Sequence, residues 1–447
     1  MGGALLQLSM RGEQDKHLNM GTNGEKPLIS LFNTVYKKHG GFATQTQELF
    51  FNSSEFGNRS VCNLLKDADL ITGIKICIKL PSLNAKSLLK PVTTCTKNID
   101  IKCFCTSCTA KVTDSIFGWA NSIGHLMVKN YSFNVGSKEI SKGTGEWLEW
   151  WSELAQTAEK KPGYWEMMGK REPPTFKPST FSDEQDLIFP LNFHFTGKPS
   201  HAFPVCAIGD ENLSVQIDWR QFSECWVCND ENDRPGFTPI FHASLLVDYV
   251  YLDKYEHDIF IKNDHLYLVD QVQHNCNQHF SQSTMLPVTD LNYSQATKSI
   301  YWAVQRSDIH ERSTADDADF TYGNDHFNYS CYKTRYKNII KDPFKEGNLS
   351  LNGEDRMTPL PAKYYRLVQS YDHHTKTPSN YIYSYCFALY PEDNQPSGTI
   401  NFSMFHKIKL KLKMCSDYPT DFNVISYALS YNFLIIKERK VSLAFII

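Results

Sequence analysis

The segment 381–414, YIYSYCFALYPEDNQPSGTINFSMFHKIKLKLKM, constrains the fold more than any other part of the chain. Residues 381–390 are aromatic and β-branched, and residues 408–414 alternate strictly between apolar side chains and lysine. Both are signatures of sheet-forming chain. Between them stand Pro391 and the run Asn394-Gln395-Pro396-Ser397-Gly398. Proline fixes φ and glycine permits positive φ, so this run is turn chemistry. The segment is therefore expected to be a hairpin of two long strands, and nothing in it carries a catalytic pattern.

Period-two patterning recurs elsewhere. Ile74, Ile76 and Ile78 alternate with Lys75, Cys77 and Lys79. Residues 126–135, 187–195, 213–219, 241–252, 266–272 and 300–304 also read as strands punctuated by Pro, Gly and Asn. One helix is expected, at 146–159. Trp147, Leu148, Trp150, Trp151, Leu154, Ala155 and Ala158 form an apolar stripe, with Glu146, Glu149, Glu153 and Gln156 opposite. The tryptophans are expected in a core and the glutamates on a solvated face. Many short strands and few helices predict antiparallel sandwiches.

The chain has 447 residues, enough for two domains, and its 41% hydrophobic and 13% aromatic content can fill two cores. The polar, turn-rich stretch 225–235 predicts a boundary near 223–239. Each side then holds some eight strand candidates, the number a jelly roll needs. A net charge of −3 argues against a protein that wraps nucleic acid, because phosphate binding calls for a strongly basic face. No signal peptide or membrane-spanning run is expected. Thirteen cysteines in such a chain are expected to be mostly reduced thiols.

The usual catalytic signatures are missing: no Gly-x-Ser-x-Gly, no Gly-x-Gly-x-x-Gly, no phosphate loop, no His-Glu-x-x-His and no His-x-His. His373-His374 is expected in a surface loop. Asp316, Asp317, Asp319, Glu392 and Asp393 are expected in loops without partners that would shift a pKa. Cys95, Cys103, Cys105 and Cys108 form the one local set with ligand spacing, read as free thiols in a long loop, a structural zinc site or a disulfide. Cys225 and Cys228 are a second pair that Cys206 or Cys276 could complete. Lys407, Lys409, Lys411 and Lys413 line one face of a strand, either as a soluble outer face or as a basic strip meeting an acidic neighbour.

The string Gln395-Pro396-Ser397-Gly398-x-x-Asn401-Phe402-Ser403, after a strand ending Phe387-Ala388-Leu389, resembles the major capsid proteins of nucleocytoplasmic large DNA viruses. Further anchors fall in that family's order: Gly3 to Leu8, Ile29 to His39, Asn121 to His125, Val247 to Asp253, Leu351 to Arg356 and Tyr431 to Leu434. One departure is Lys437-Glu438-Arg439-Lys440 before Leu443-Ala444-Phe445, where the family usually has a glycine-rich run. The resemblance implies an all-β chain of two consecutive eight-stranded antiparallel jelly rolls with a few short helices in loops. We expect an N-terminal arm at 1–26, a first jelly roll at 27–223, a linker at 224–239 and a second jelly roll at 240–447.

The implied function is structural rather than enzymatic: a homotrimer forming pseudo-hexameric capsomers of an icosahedral shell. The implied partners are neighbouring capsomers, penton and minor capsid proteins and the inner viral membrane surface, without specific nucleic-acid binding. The implied location is the virion, with assembly in the host-cell cytoplasm, and no cofactor beyond the candidate zinc. The alternatives are a minor capsid paralogue at special lattice positions and a carbohydrate-binding or carbohydrate-active jelly-roll protein.

Overall fold

The structure is a computed structural model that describes residues 38–83, 117–171, 184–228, 241–310, 324–331 and 341–445, with a few positions near the N-terminus. Residues Met1–Gly41 and Phe42–Ile447 are separate compact units, and every strand among the described residues lies in the second. The expected N-terminal arm falls almost wholly outside the described residues.

Sixteen of the strands among the described residues build two sandwiches. The first eight are β1 (Phe42–Phe50), β2 (Arg59–Asn63), β3 (Leu70–Leu80), β4 (Val128–Val135), β5 (Lys138–Thr144), β6 (Gln185–Pro190), β7 (Leu213–Trp219) and β8 (His242–Leu252). They form two antiparallel sheets, ordered β1-β8-β3-β6 and β2-β7-β4-β5. The next eight are β9 (His265–Phe280), β10 (Val288–Asp290), β11 (Ala296–Arg306), β12 (Phe344–Leu351), β13 (Glu354–Asp355), β14 (Tyr383–Cys386), β15 (Ile408–Met414) and β16 (Phe422–Lys437). Their sheets run β9-β16-β11-β14 and β10-β15-β12-β13. Each strand of the second set occupies the place of the strand eight earlier. The chain is a jelly roll written twice, a repeat its sequence does not display.

Alternation fixes which way the strands face. In β3, Ile74, Ile76, Ile78 and Leu80 are buried, while Lys75 and Lys79 are not. In β15, Ile408, Leu410, Leu412 and Met414 are buried with the lysines outward. Strand β16 breaks the pattern because both faces are covered. Phe422, Val424 and Ala428 pack in the core of the second sandwich, and Ile425, Tyr427 and Leu429 join a core continuous with the first.

Two expectations fail. The aromatic strand and the lysine strand of 381–414 do not pair: β14 lies against β11, and β15 lies between β10 and β12 in the other sheet. The intervening chain crosses between sheets rather than turning back. Nor does the first jelly roll end at 223. Strand β8, expected to open the second, pairs with β1 and β3. Trp226–Cys228 likewise pairs back onto Phe117–Trp119. The last strand of a jelly roll returns to lie beside the first, so a polar loop before it imitates a linker. The sandwiches are joined through helix Lys254–Lys262, which Asp253 caps by accepting the Glu256 amide at 2.9 Å.

Candidate assembly surface

Between the sandwiches lies helix α1 (Gly145–Ala155), the longest among the described residues. It begins where the Thr144 hydroxyl accepts the Trp147 amide at 3.1 Å. A Cβ at Gly145 would run into the carbonyl oxygens of His125 and Val128, so only glycine lets the chain enter the helix this close to β4. The tryptophans are core, as expected. Trp147 packs on Tyr301 and Tyr427, and the Trp150 indole donates to the Tyr329 hydroxyl at 2.8 Å. These contacts reach across to the second sandwich, so α1 is a wedge fixing one jelly roll against the other.

The glutamates are a correction: none faces solvent. Glu149 and Glu153 are buried, each 2.5 Å from the Lys170 ammonium, which is itself buried. The His125 Nδ1–H donates to Glu149 at 2.9 Å, and its Nε2 lies 2.9 Å from the Tyr164 hydroxyl. Glu153 also accepts from the Ser379 hydroxyl (2.6 Å) and lies 3.5 Å from Lys376. Glu146 pairs with Arg220 and, at 2.9 Å, with His326. Burial by itself would raise these carboxyls, but the neighbouring cations outweigh it. Glu149 is held at about 2, and Glu146 and Glu153 lie well below the usual carboxylate range. Burial opposes the Lys170 charge, and its two carboxylate partners nevertheless raise its pKa. A polar helix face that looks solvated in isolation is thus a neutralised ionic layer inside the molecule.

The Gln395–Gly398 run is a structural turn. Gly398 has φ +130°, and a Cβ there would lie 2.8 Å from the Phe387 carbonyl oxygen. The Ser397 hydroxyl accepts the Tyr390 amide at 2.9 Å, and its carbonyl accepts the Leu389 amide at 3.2 Å. Asn401 accepts the Ser403 amide at 3.0 Å, and Phe402 is fully buried. Contrary to expectation, His374 is buried beneath this turn. Its Nδ1 donates to Glu392 at 2.9 Å and its Nε2 lies 3.6 Å from the Cys386 sulfur. Burial and the Glu392 charge push that thiol far above its ordinary value, so the Cys-His-Glu alignment is packing rather than an activated nucleophile. Asp393 pairs with Lys198 at 3.4 Å.

The lysine strip finds its acidic neighbours within its own sheet. Lys409 meets Asp290 (3.6 Å) on β10, Lys413 meets Glu346 (2.6 Å) on β12, and Lys411 reaches Asp355 (2.7 Å) on β13, one strand further out. Several large apolar side chains are also exposed. Leu389, Tyr390 and Tyr371 are exposed beside the turn, Met285, Leu286 and Val288 at the start of β10, and Tyr255, Ile259 and Ile261 on the joining helix.

Cys95, Cys103, Cys105 and Cys108 lie outside the described residues, as do Asp316, Asp317 and Asp319. Cys225 is buried and its thiol donates to the Gln221 carbonyl, while Cys276 is exposed on β9. Among the described residues, neither enters a three-donor metal set.

Two family models cover most of the chain. "Major capsid protein N-terminus" matches residues 30–253, and "Large eukaryotic DNA virus major capsid protein" matches residues 256–440. The major capsid protein of Pyramimonas orientalis virus is 27% identical over the full length of both chains. Probable capsid protein 4 of Acanthamoeba polyphaga mimivirus is 25% identical, with 97% of each covered. Among solved structures, a chain of the PBCV-1 virus capsid superposes with TM-score 0.73 at 20% identity, covering 94% of this chain and all of that one. The Faustovirus major capsid protein follows with TM-score 0.65 at 13% identity, 92% and 93% covered. The repeated strand order, the structural turn and these matches agree: the chain belongs to the family of large eukaryotic DNA virus major capsid proteins.

Proposed function

We propose that this capsid protein assembles as a homotrimer whose six jelly rolls make a pseudo-hexagonal capsomer, and that it acts through assembly rather than catalysis. The observation that carries the reading is the duplicated strand order within one rigidly wedged chain. Three copies of a double unit present six similar sandwiches around an axis, which suits hexagonal packing. The exposed apolar groups at the turn, at β10 and on the joining helix supply surface for contacts within and between trimers. Obligate interfaces of this kind bury on the order of 2,000 Å² or more. In this reading the further partners are neighbouring capsomers, penton and minor capsid proteins and the inner membrane surface, met as the shell forms in the host cytoplasm.

Light scattering of the purified chain tests it. A particle of three times the 51.4 kDa chain mass is expected. A stable monomer refutes the trimer. Copy number per virion separates the principal shell protein from a minor paralogue.

A further inference from the structure

Asp69, Cys206 and His257 converge from three parts of the fold. Asp69 ends the loop before β3, Cys206 lies between β6 and β7, and His257 stands on the joining helix Lys254–Lys262. One carboxylate oxygen, the thiol sulfur and one ring nitrogen all lie within 4.8 Å of one another. Asp69 holds the group together. Its Oδ1 is 2.5 Å from His257 Nδ1, its Oδ2 accepts the Leu252 amide at 2.7 Å, and its carbonyl accepts the Cys206 amide at 3.1 Å.

We propose that Asp69, Cys206 and His257 bind one divalent transition-metal ion of zinc-like character, with water as the fourth ligand. The donor set selects the ion class. Thiolate and imidazole are poor ligands for calcium and magnesium and good ones for zinc. A carboxylate and a thiolate carry two negative charges, which match the ion with a neutral imidazole. Metal–ligand lengths of about 2.0–2.3 Å in a tetrahedron set donor atoms roughly 3.3–3.7 Å apart. The observed cluster reaches that spacing by small side-chain rotations, with the ion replacing the direct Asp69–His257 hydrogen bond. All three residues are partly exposed, so ion and water have access. Binding forms the metal–sulfur bond and releases the thiol proton to solvent; the Nδ1 proton that His257 donates to Asp69 also leaves that nitrogen, and the neutral ring carries its single proton on Nε2.

Such a site would tie the joining helix to the first sandwich. That helix carries Tyr255, Ile259 and Ile261 outward, so the ion would fix the pose of an exposed apolar group.

The test uses the full-length chain, stripped by chelator, with Cys95, Cys103, Cys105 and Cys108 replaced by serine so that they contribute no thiolate. Titration with Co²⁺ is expected to give a thiolate-to-metal charge-transfer band saturating near one ion per chain. Cys206→Ser is expected to abolish the band, and His257→Gln to weaken binding at least about tenfold. No band in the four-serine chain, or a band that survives Cys206→Ser, overturns the proposal. A second measurement needs no four-serine background. In the otherwise unaltered chain, Cys206→Ser is expected to lower bound zinc by about one ion per chain, and equal counts overturn the assignment.

Discussion

Lys170→Met tests the ionic layer around α1. The substitution keeps the length and apolar stem of the side chain and removes only the ammonium group. It leaves Glu149 and Glu153 buried, each having lost a partner at 2.5 Å. Removing one member of a buried ion pair costs about 3–5 kcal/mol, because the remaining charge is uncompensated. For a sandwich of this size that corresponds to a fall in melting temperature of about 6–20 °C. The pH dependence identifies the cause. Without the ammonium, the two carboxyls can relieve the burial cost by taking up a proton, so their folded pKa values rise above the unfolded ones. A group raised in this way contributes stability at low pH that is lost as pH rises. The deficit of the variant is therefore expected to be largest near neutrality and to shrink as the pH falls into the carboxylate range. Adding Glu153→Gln to the variant should recover part of the loss. Thermal unfolding followed by near-ultraviolet circular dichroism reads all three. A shift under about 0.5 kcal/mol, or a deficit that does not change with pH, refutes the assignment of a buried, mutually neutralised cluster.

Gly398→Val should cost about 1–3 kcal/mol through positive φ and the clash with the Phe387 carbonyl; an unchanged melting temperature contradicts it. Trp150→Ala should cost about 3–5 kcal/mol through lost packing and the lost hydrogen bond to the Tyr329 hydroxyl, read as a lower denaturant midpoint. In the unaltered chain Glu146, Glu149 and Glu153 are depressed, so their contribution is present above the unfolded carboxylate range and is lost as pH falls toward 2. A melting temperature flat across that acid window would contradict the sign. Elemental analysis of the chain carrying Cys206→Ser, purified without chelator, reads the Cys95, Cys103, Cys105 and Cys108 quartet. About one zinc per chain is the outcome of a closed thiolate site there, and less than about 0.2 that of free thiols.

Strand identity was legible from local pattern. The Ile74-Ile76-Ile78 and Ile408-Leu410-Leu412 alternations name their own buried faces, and both stand as read. Strand partnership was not legible, because alternation carries no information about which chain lies alongside. The aromatic and lysine strands of 381–414 therefore looked like a hairpin although they belong to different sheets. The boundary failed for a related reason: β8 pairs with β1 some two hundred residues away, as in Phe42↔Leu252. The wedge helix shows a third limit. Its apolar stripe was visible, but a helical wheel has only one buried side by construction. The cations that cover Glu146, Glu149 and Glu153 come from Lys170, Arg220 and Lys376, two of them distant in sequence. The cluster at Asp69, Cys206 and His257 has no local spacing at all, and only the fold brings it together.

Strand β16, covered on both faces, ties the subunit to the timing of its synthesis. Among the sixteen sandwich strands it is the last in the chain, followed only by the short strand Lys440–Leu443 that pairs with it, yet it enters the core of the second sandwich and contributes Ile425, Tyr427 and Leu429 to the first. A nascent chain that has not yet released residues 422–437 from the ribosome holds two unfinished cores. Its apolar edges remain available to chaperones rather than to sister subunits. Neither core is complete until β16 is in place, so a strand near the end of the chain finishes both.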